Sequence, residues 1–133
     1  MANWSPQFGQ TLLIPSGPRQ GQMHLHVVLN DPKPFANFWP LSCALACICS
    51  VPESNIPYET TREFGPGAHK FIVKQSYVHY KFLQVMSAPH LITCVNNGTY
   101  TVHAPFLPEY VTSIIDGYVV SRRVPGYLKG LQF

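Results

Sequence analysis

Six histidines occur among 133 residues. They matter because histidine alone titrates near neutrality without help from its surroundings, so two of them can act as base and acid at one pH. The densest group of such side chains follows the turn Gly65-Pro66-Gly67. It contains His69, Lys70, Lys74, Ser76, Tyr77 and Tyr80. His24 and His26 form a second group. They lie two apart on an expected strand, so their rings share one face. The chemistry that suits these groups is metal-free cleavage of an RNA strand. A base takes the 2′-hydroxyl proton, the oxygen attacks phosphorus, and an acid protonates the leaving oxygen. Lys70 or Arg19 would balance the charge growing on the phosphate. The bland alternative has His69 capping a turn through backbone hydrogen bonds, with His24 and His26 packed at a sheet edge.

Other chemistries fit less well. His24, His26 and His69 are enough for a three-histidine metal site, but no carboxylate or cysteine has matching spacing, so no metal and no cofactor is expected. The six carboxylates are widely separated, which disfavours a paired-carboxylate glycosidase. Ser50 ends an apolar run without the Gly-x-Ser-x-Gly elbow of a serine hydrolase. The turn at Gly65 lacks the lysine-serine ending of a phosphate loop. Cys43, Cys47 and Cys49 share one strand face. Their spacing matches no common zinc pattern, and they read with Cys94 as buried structural thiols. Aromatic residues make up 13%. Tyr77, Tyr80, Phe35, Phe38 and Trp39 are placed either to stack unpaired bases or to pack in the core.

The elements that must hold these groups are short. Thirteen prolines and nine glycines interrupt the chain, so strands separated by turns are expected. Strands are expected at residues 10–15, 24–30 and 42–51, the last buried on both faces, although its alanines and leucines also suit a buried helix. Residues 71–73 read as a strand start and 76–85 as an aromatic-rich strand. Asn96-Asn97-Gly98 reads as a hairpin turn joining strands 92–95 and 99–103. Residues 109–120 carry apolar side chains every three to four positions and read as a helix flawed by Gly117.

The length fits a single domain spanning residues 1–133. Hydrophobic residues make up 46%, which argues against disorder, and charged residues only 11%. The net charge of +3 is too small for a committed DNA-binding domain. The opening Met1-Ala2-Asn3-Trp4-Ser5-Pro6 has no secretory pattern, and no apolar stretch is long enough to span a membrane. A cytoplasmic protein is expected.

Gly9–Pro15, a loop, His24-Leu25-His26-Val27-Val28-Leu29-Asn30 and the strand ending Ile48-Cys49-Ser50 resemble the MazF/PemK-like toxins over about residues 9–85. That resemblance implies a mainly β (α+β) fold, a small SH3-like bent sheet or barrel, here with a C-terminal helix. It also implies a hydrolase of the toxin–antitoxin class, a metal-independent endoribonuclease paired with an antitoxin-like protein. The family's arginine falls on His24 and its hydroxyl on Ser50, so His24 departs from the pattern. The expectation is therefore a cytoplasmic, RNA-binding homodimer. His24, Ser50 and His69 would be catalytic, and Arg19, Lys70, Ser76, Tyr77 and Tyr80 would bind substrate. A non-catalytic barrel holding a protein or a nucleic-acid strand, from a phage or mobile element, is the alternative.

Overall fold

A computed structural model describes residues 4–133; the reading of Met1, Ala2 and Asn3 as part of a non-secretory start lies outside them. Seven strands form one sheet. The first three fall where the apolar runs put them: β1 (Thr11–Pro15), β2 (Met23–Val28) and β3 (Ser42–Ser50). They are followed by β4 (Glu63–Phe64), β5 (Ser76–Val78), β6 (Gln84–Ser87) and β7 (Thr101–His103). Two helices complete the fold, α1 (Ala88–Asn96) and α2 (Pro108–Val120). The strand order is β4-β5-β3-β2-β1-β7, and β6 pairs with the first half of β3.

The expected SH3-like barrel does not form. The sheet is open, in a mixed α/β arrangement, and among the described residues no pairing joins the edge strands β4 and β7. One reason is the segment expected to supply a further strand at residues 92–95. It is helical instead. The Ser87 hydroxyl accepts the His90 N–H at 3.2 Å as an N-cap, and Pro89 sits in the first turn, where its missing N–H costs nothing. Leu91 and Cys94, three apart, are buried. The Asn-Gly pair then closes a helix rather than a hairpin, with Gly98 at φ +81°.

The expected strand at residues 71–73 is also absent. That segment is a turn in which Ile72 N–H bonds His69 C=O at 2.9 Å. The 76–85 strand is broken by a 3-10 turn at Tyr80–Phe82. Helix α2 matches its expected range, and the flaw at Gly117 has a cause. A Cβ there would overlap the Tyr80 hydroxyl and lie 2.6 Å from Arg62 Cγ.

Strand alternation divides the side chains between two faces. Leu25, Val27, Ala46, Ile48 and Val78 pack under α2 with Val111, Ile114 and Tyr118. On the other face Leu12, Ile14, Val28, Cys43 and Leu45 pack with Leu91 of α1. Each fully buried leucine contributes roughly 1.5–3 kcal/mol. Helix α1 covers only one end of its face. At the other end the same alternation presents His24, His26, Cys47 and Cys49, and there the sheet borders a cavity.

Candidate functional site

The β2–β3 ladder runs only from Leu25↔Ile48 to Val28↔Leu45. Beyond it the strands part. Strand β2 continues along β1 as far as Met23, and β3 continues along β5 as far as Ser50. His24 and Cys49 stand on either side of this fork. Two cavities meet there, and both are lined by His24, Cys49 and Gln22.

The larger cavity, about 840 Å³, is lined by His24, His26, Cys47, Cys49, Tyr77 and His79 among others. Strands β2 and β3 each supply a pair of residues two apart, β5 and the residue after it supply Tyr77 and His79, and the register aligns the pairs. His26 stands opposite Cys47, and Cys49 opposite Tyr77. The backbone N–H of His79 bonds Cys47 C=O at 2.9 Å.

Hydrogen bonds fix the imidazoles. His26 Nδ1–H donates to the His24 carbonyl at 3.1 Å. His24 Nδ1 lies 2.6 Å from Ser16 Oγ, whose hydroxyl reaches the Ile14 carbonyl at 3.2 Å. With Ser16 donating to that carbonyl, His24 Nδ1 carries the proton and Nε2 is left with a lone pair. Burial lowers the pKa of His24, His26 and His79, that of His26 to about 4. At neutral pH these rings carry no charge.

The two thiols are unequal. Their sulfurs lie 3.8 Å apart. Cys47 is buried, and its hydrogen bond to Cys49 together with burial pushes its thiol well above the ordinary range. Cys49 is half-buried. Hydrogen bonds from Cys47 and Tyr77 lower its pKa against the opposing effect of burial. Cys49 therefore ionises first, and Cys47 remains the donor. Tyr77, desolvated and beside these thiols, is raised to about 12 and keeps its phenolic proton.

The second cavity, about 640 Å³, runs along the end of the sheet. Its polar lining includes His24, Ser50, Lys70, Lys74 and His103, with exposed Phe71 and Val73 beside them and no carboxylate. His103 Nδ1 accepts the Ala104 N–H at 2.8 Å, so its proton is on Nε2.

The expected site residues are only partly gathered. His24, Ser50 and Lys70 line the groove, and Tyr77 lines the thiol cavity. His69 faces inward. Its Nε2–H donates to Ala104 C=O at 2.6 Å and its Nδ1 accepts Phe71 N–H at 3.0 Å, so both ring nitrogens are occupied by backbone. Tyr80 is fully buried and donates to Ile114 C=O at 2.6 Å. Ser76 is buried and donates to Lys74 C=O at 2.9 Å. Arg19 lies on the exposed Gly17–Gln22 loop, outside both linings. Cys47, Cys49, His79 and His103 belong to the site without having been expected there, and His26 and Lys74, members of the expected polar groups but not assigned as site residues, join them. The signal for His26, Cys47, Cys49 and His79 was the recurrence of pairs two residues apart, His24/His26, Cys47/Cys49 and Tyr77/His79; Lys74 and His103 carried no such signal. Among the described residues no three histidine, cysteine or carboxylate side chains are grouped to hold a metal ion, and no helix is long and apolar enough to cross a membrane.

The toxin–antitoxin, PemK-like and endoribonuclease terms that came with the resemblance are not kept as descriptions of the chain, because the barrel they carry is replaced by an open sheet and no relative supplies them. No family model matches the chain, and neither a curated protein nor a solved structure matches it.

Proposed function

We propose that the protein performs thiol–disulfide exchange at Cys49. The observation that carries this reading is the unequal pair at the fork of the sheet. Cys49 is the more accessible sulfur of the pair, and Cys47 lies buried 3.8 Å away. Thiolates are the attacking species in exchange, and hydrogen bonds are a means of lowering a thiol pKa in a site whose imidazoles are neutral. The Cys49 thiolate attacks one sulfur of a disulfide RSSR. A Cys49–SR bond forms, the S–S bond breaks, and RS⁻ leaves and takes a proton from solvent. Residues two apart on a strand are separated by about 6.4–6.8 Å, at the upper limit for a disulfide. The mixed disulfide on Cys49 is therefore the favoured oxidised form, and Cys47 serves as donor. Four free cysteines fit a reducing compartment, and we place the protein in the cytoplasm on that ground.

Reaction with oxidised glutathione, followed by intact mass and peptide mapping, tests the reading. A glutathione adduct on Cys49 that is lost in Cys49→Ser is expected. A wild-type protein with no adduct, or with its adduct confined to Cys43 or Cys94, would overturn it.

Metal-independent acid–base cleavage of an RNA strand is the second reading, favoured by the groove that brings His24, Ser50 and Lys70 together with His103. Incubation with single-stranded RNA in EDTA tests it. Cleavage that is lost in His24→Ala and retained in Cys49→Ser supports this reading over the first.

A further inference from the structure

Resting on the exchange reading, we infer that the disulfide taken up at Cys49 is an anionic one, whose acidic groups lie along the groove of Lys70 and Lys74 while its sulfurs reach the fork. Cys49 lines both cavities, so a ligand lying in the groove passes the reactive sulfur without crossing a wall. The groove has two exposed ammonium groups, the Ser50 hydroxyl and the Nε2–H of His103, all suited to carboxylate or phosphate oxygens.

Carboxylates are missing from both linings. Neither contains an aspartate or glutamate, and the larger cavity adds Lys81. A cationic disulfide would meet the like charge of Lys70 and Lys74 along the groove. A neutral one would gain nothing from the lysines. Glycines flank the neighbouring turn: Gly67, at φ +90°, makes the bend that leads through His69 to Lys70. His69 then ties that bend to Ala104, so the Lys70–Lys74 rim is held beside the groove by a buried contact.

The same groups recognise carboxylates and phosphates, so both sources belong in the test. Exchange rates are compared for oxidised glutathione, coenzyme A disulfide, hydroxyethyl disulfide and cystamine at low and high salt. The two anionic disulfides are expected to react about tenfold faster than the neutral one at low salt, and cystamine slowest, with the gap closing as salt rises. Preference for one anionic disulfide over the other identifies the carboxylate or the phosphate source. Lys70→Ala combined with Lys74→Ala should reduce the anionic-to-neutral ratio, and Lys129→Ala, which lines neither cavity, should leave it unchanged. Cystamine reacting as fast as oxidised glutathione would overturn the inference and leave exchange standing. Failure of all four disulfides would overturn the exchange reading itself.

Discussion

Cys47 Sγ lies 3.8 Å from Cys49 Sγ on the same edge of a cavity, yet the first is buried and the second is half-exposed. Two thiols of one type on one strand are thus shifted in opposite directions. Its hydrogen bond with Cys49 and then desolvation hold Cys47 protonated, while hydrogen bonds with Cys47 and Tyr77 favour the Cys49 thiolate. The neighbouring imidazoles are neutral and contribute no charge at pH 7. Lys81 lines the same cavity as the pair, and Lys70 and Lys74 line the groove that Cys49 shares.

Alkylation of Cys49 by iodoacetamide, measured against pH, should therefore show a midpoint below that of an ordinary thiol. Tyr77→Phe and Cys47→Ala each remove a donor and should move the midpoint upward. Cys47→Ser keeps a donor and should move it less. An unchanged midpoint in both Tyr77→Phe and Cys47→Ala would show that these bonds do not control the thiolate.

How far the site can be read from sequence depends on which interactions are local. Period two along a strand places His24 with His26 and Cys47 with Cys49 on shared faces, and that much is legible. The pairing of His26 with Cys47 is a register between segments twenty-one positions apart in sequence, and nothing local specifies it. The cysteines consequently read as core. Helix α2 is legible because its apolar repeat continues for three turns, and Gly117 is a flaw only until Tyr80 is seen packed against it. Helix α1 is missed because Asn-Gly supplies positive φ equally well to a hairpin and to a helix end. The Ser87 cap and Pro89 were the cues that distinguish the two.

Gly117→Ala should destabilise the fold although alanine is the better helix former. The added methyl meets the Tyr80 hydroxyl and Arg62 Cγ, both held by bonds to α2 carbonyls: Tyr80 to Ile114 and Arg62 Nε to Ser113 at 2.7 Å. Overpacking of this kind costs about 1–3 kcal/mol, which exceeds the propensity gain of up to about 1 kcal/mol. Denaturant midpoints compare the two. A more stable Gly117→Ala would mean that Tyr80 moves aside freely.

His26 makes folding sensitive to acid. Its folded pKa of about 4 lies below the ordinary 6.5, so the unfolded chain binds the proton more tightly between these values. Stability is fully present above pH 6.5 and falls as pH drops toward 4, by up to about 3 kcal/mol from this group. Burial shifts His24, His69 and His79 the same way. Urea unfolding at pH 7 and pH 4.5 measures the loss. His26→Leu should reduce the difference between the two pH values, and an undiminished difference would assign the acid sensitivity elsewhere.

His69 is the residue whose role changes most between sequence and structure. Both ring nitrogens bond the backbone, one to Ala104 beyond β7 and one to Phe71 inside its own turn. Thr11 Oγ1 also donates to Ala104 C=O, at 2.7 Å, so one carbonyl ties the turn and β1 together. His69→Ala leaves that turn without its anchor and buried backbone groups without their partner, at about 1–3 kcal/mol. The expected signature is faster amide exchange at Phe71 and Ile72 and a lower denaturation midpoint, with the Cys49 thiolate midpoint unmoved. His69→Gln, which can still reach the Ala104 carbonyl, should recover part of the stability. If His69→Ala instead leaves stability intact and abolishes RNA cleavage, His69 acts on substrate and the backbone bonds are incidental.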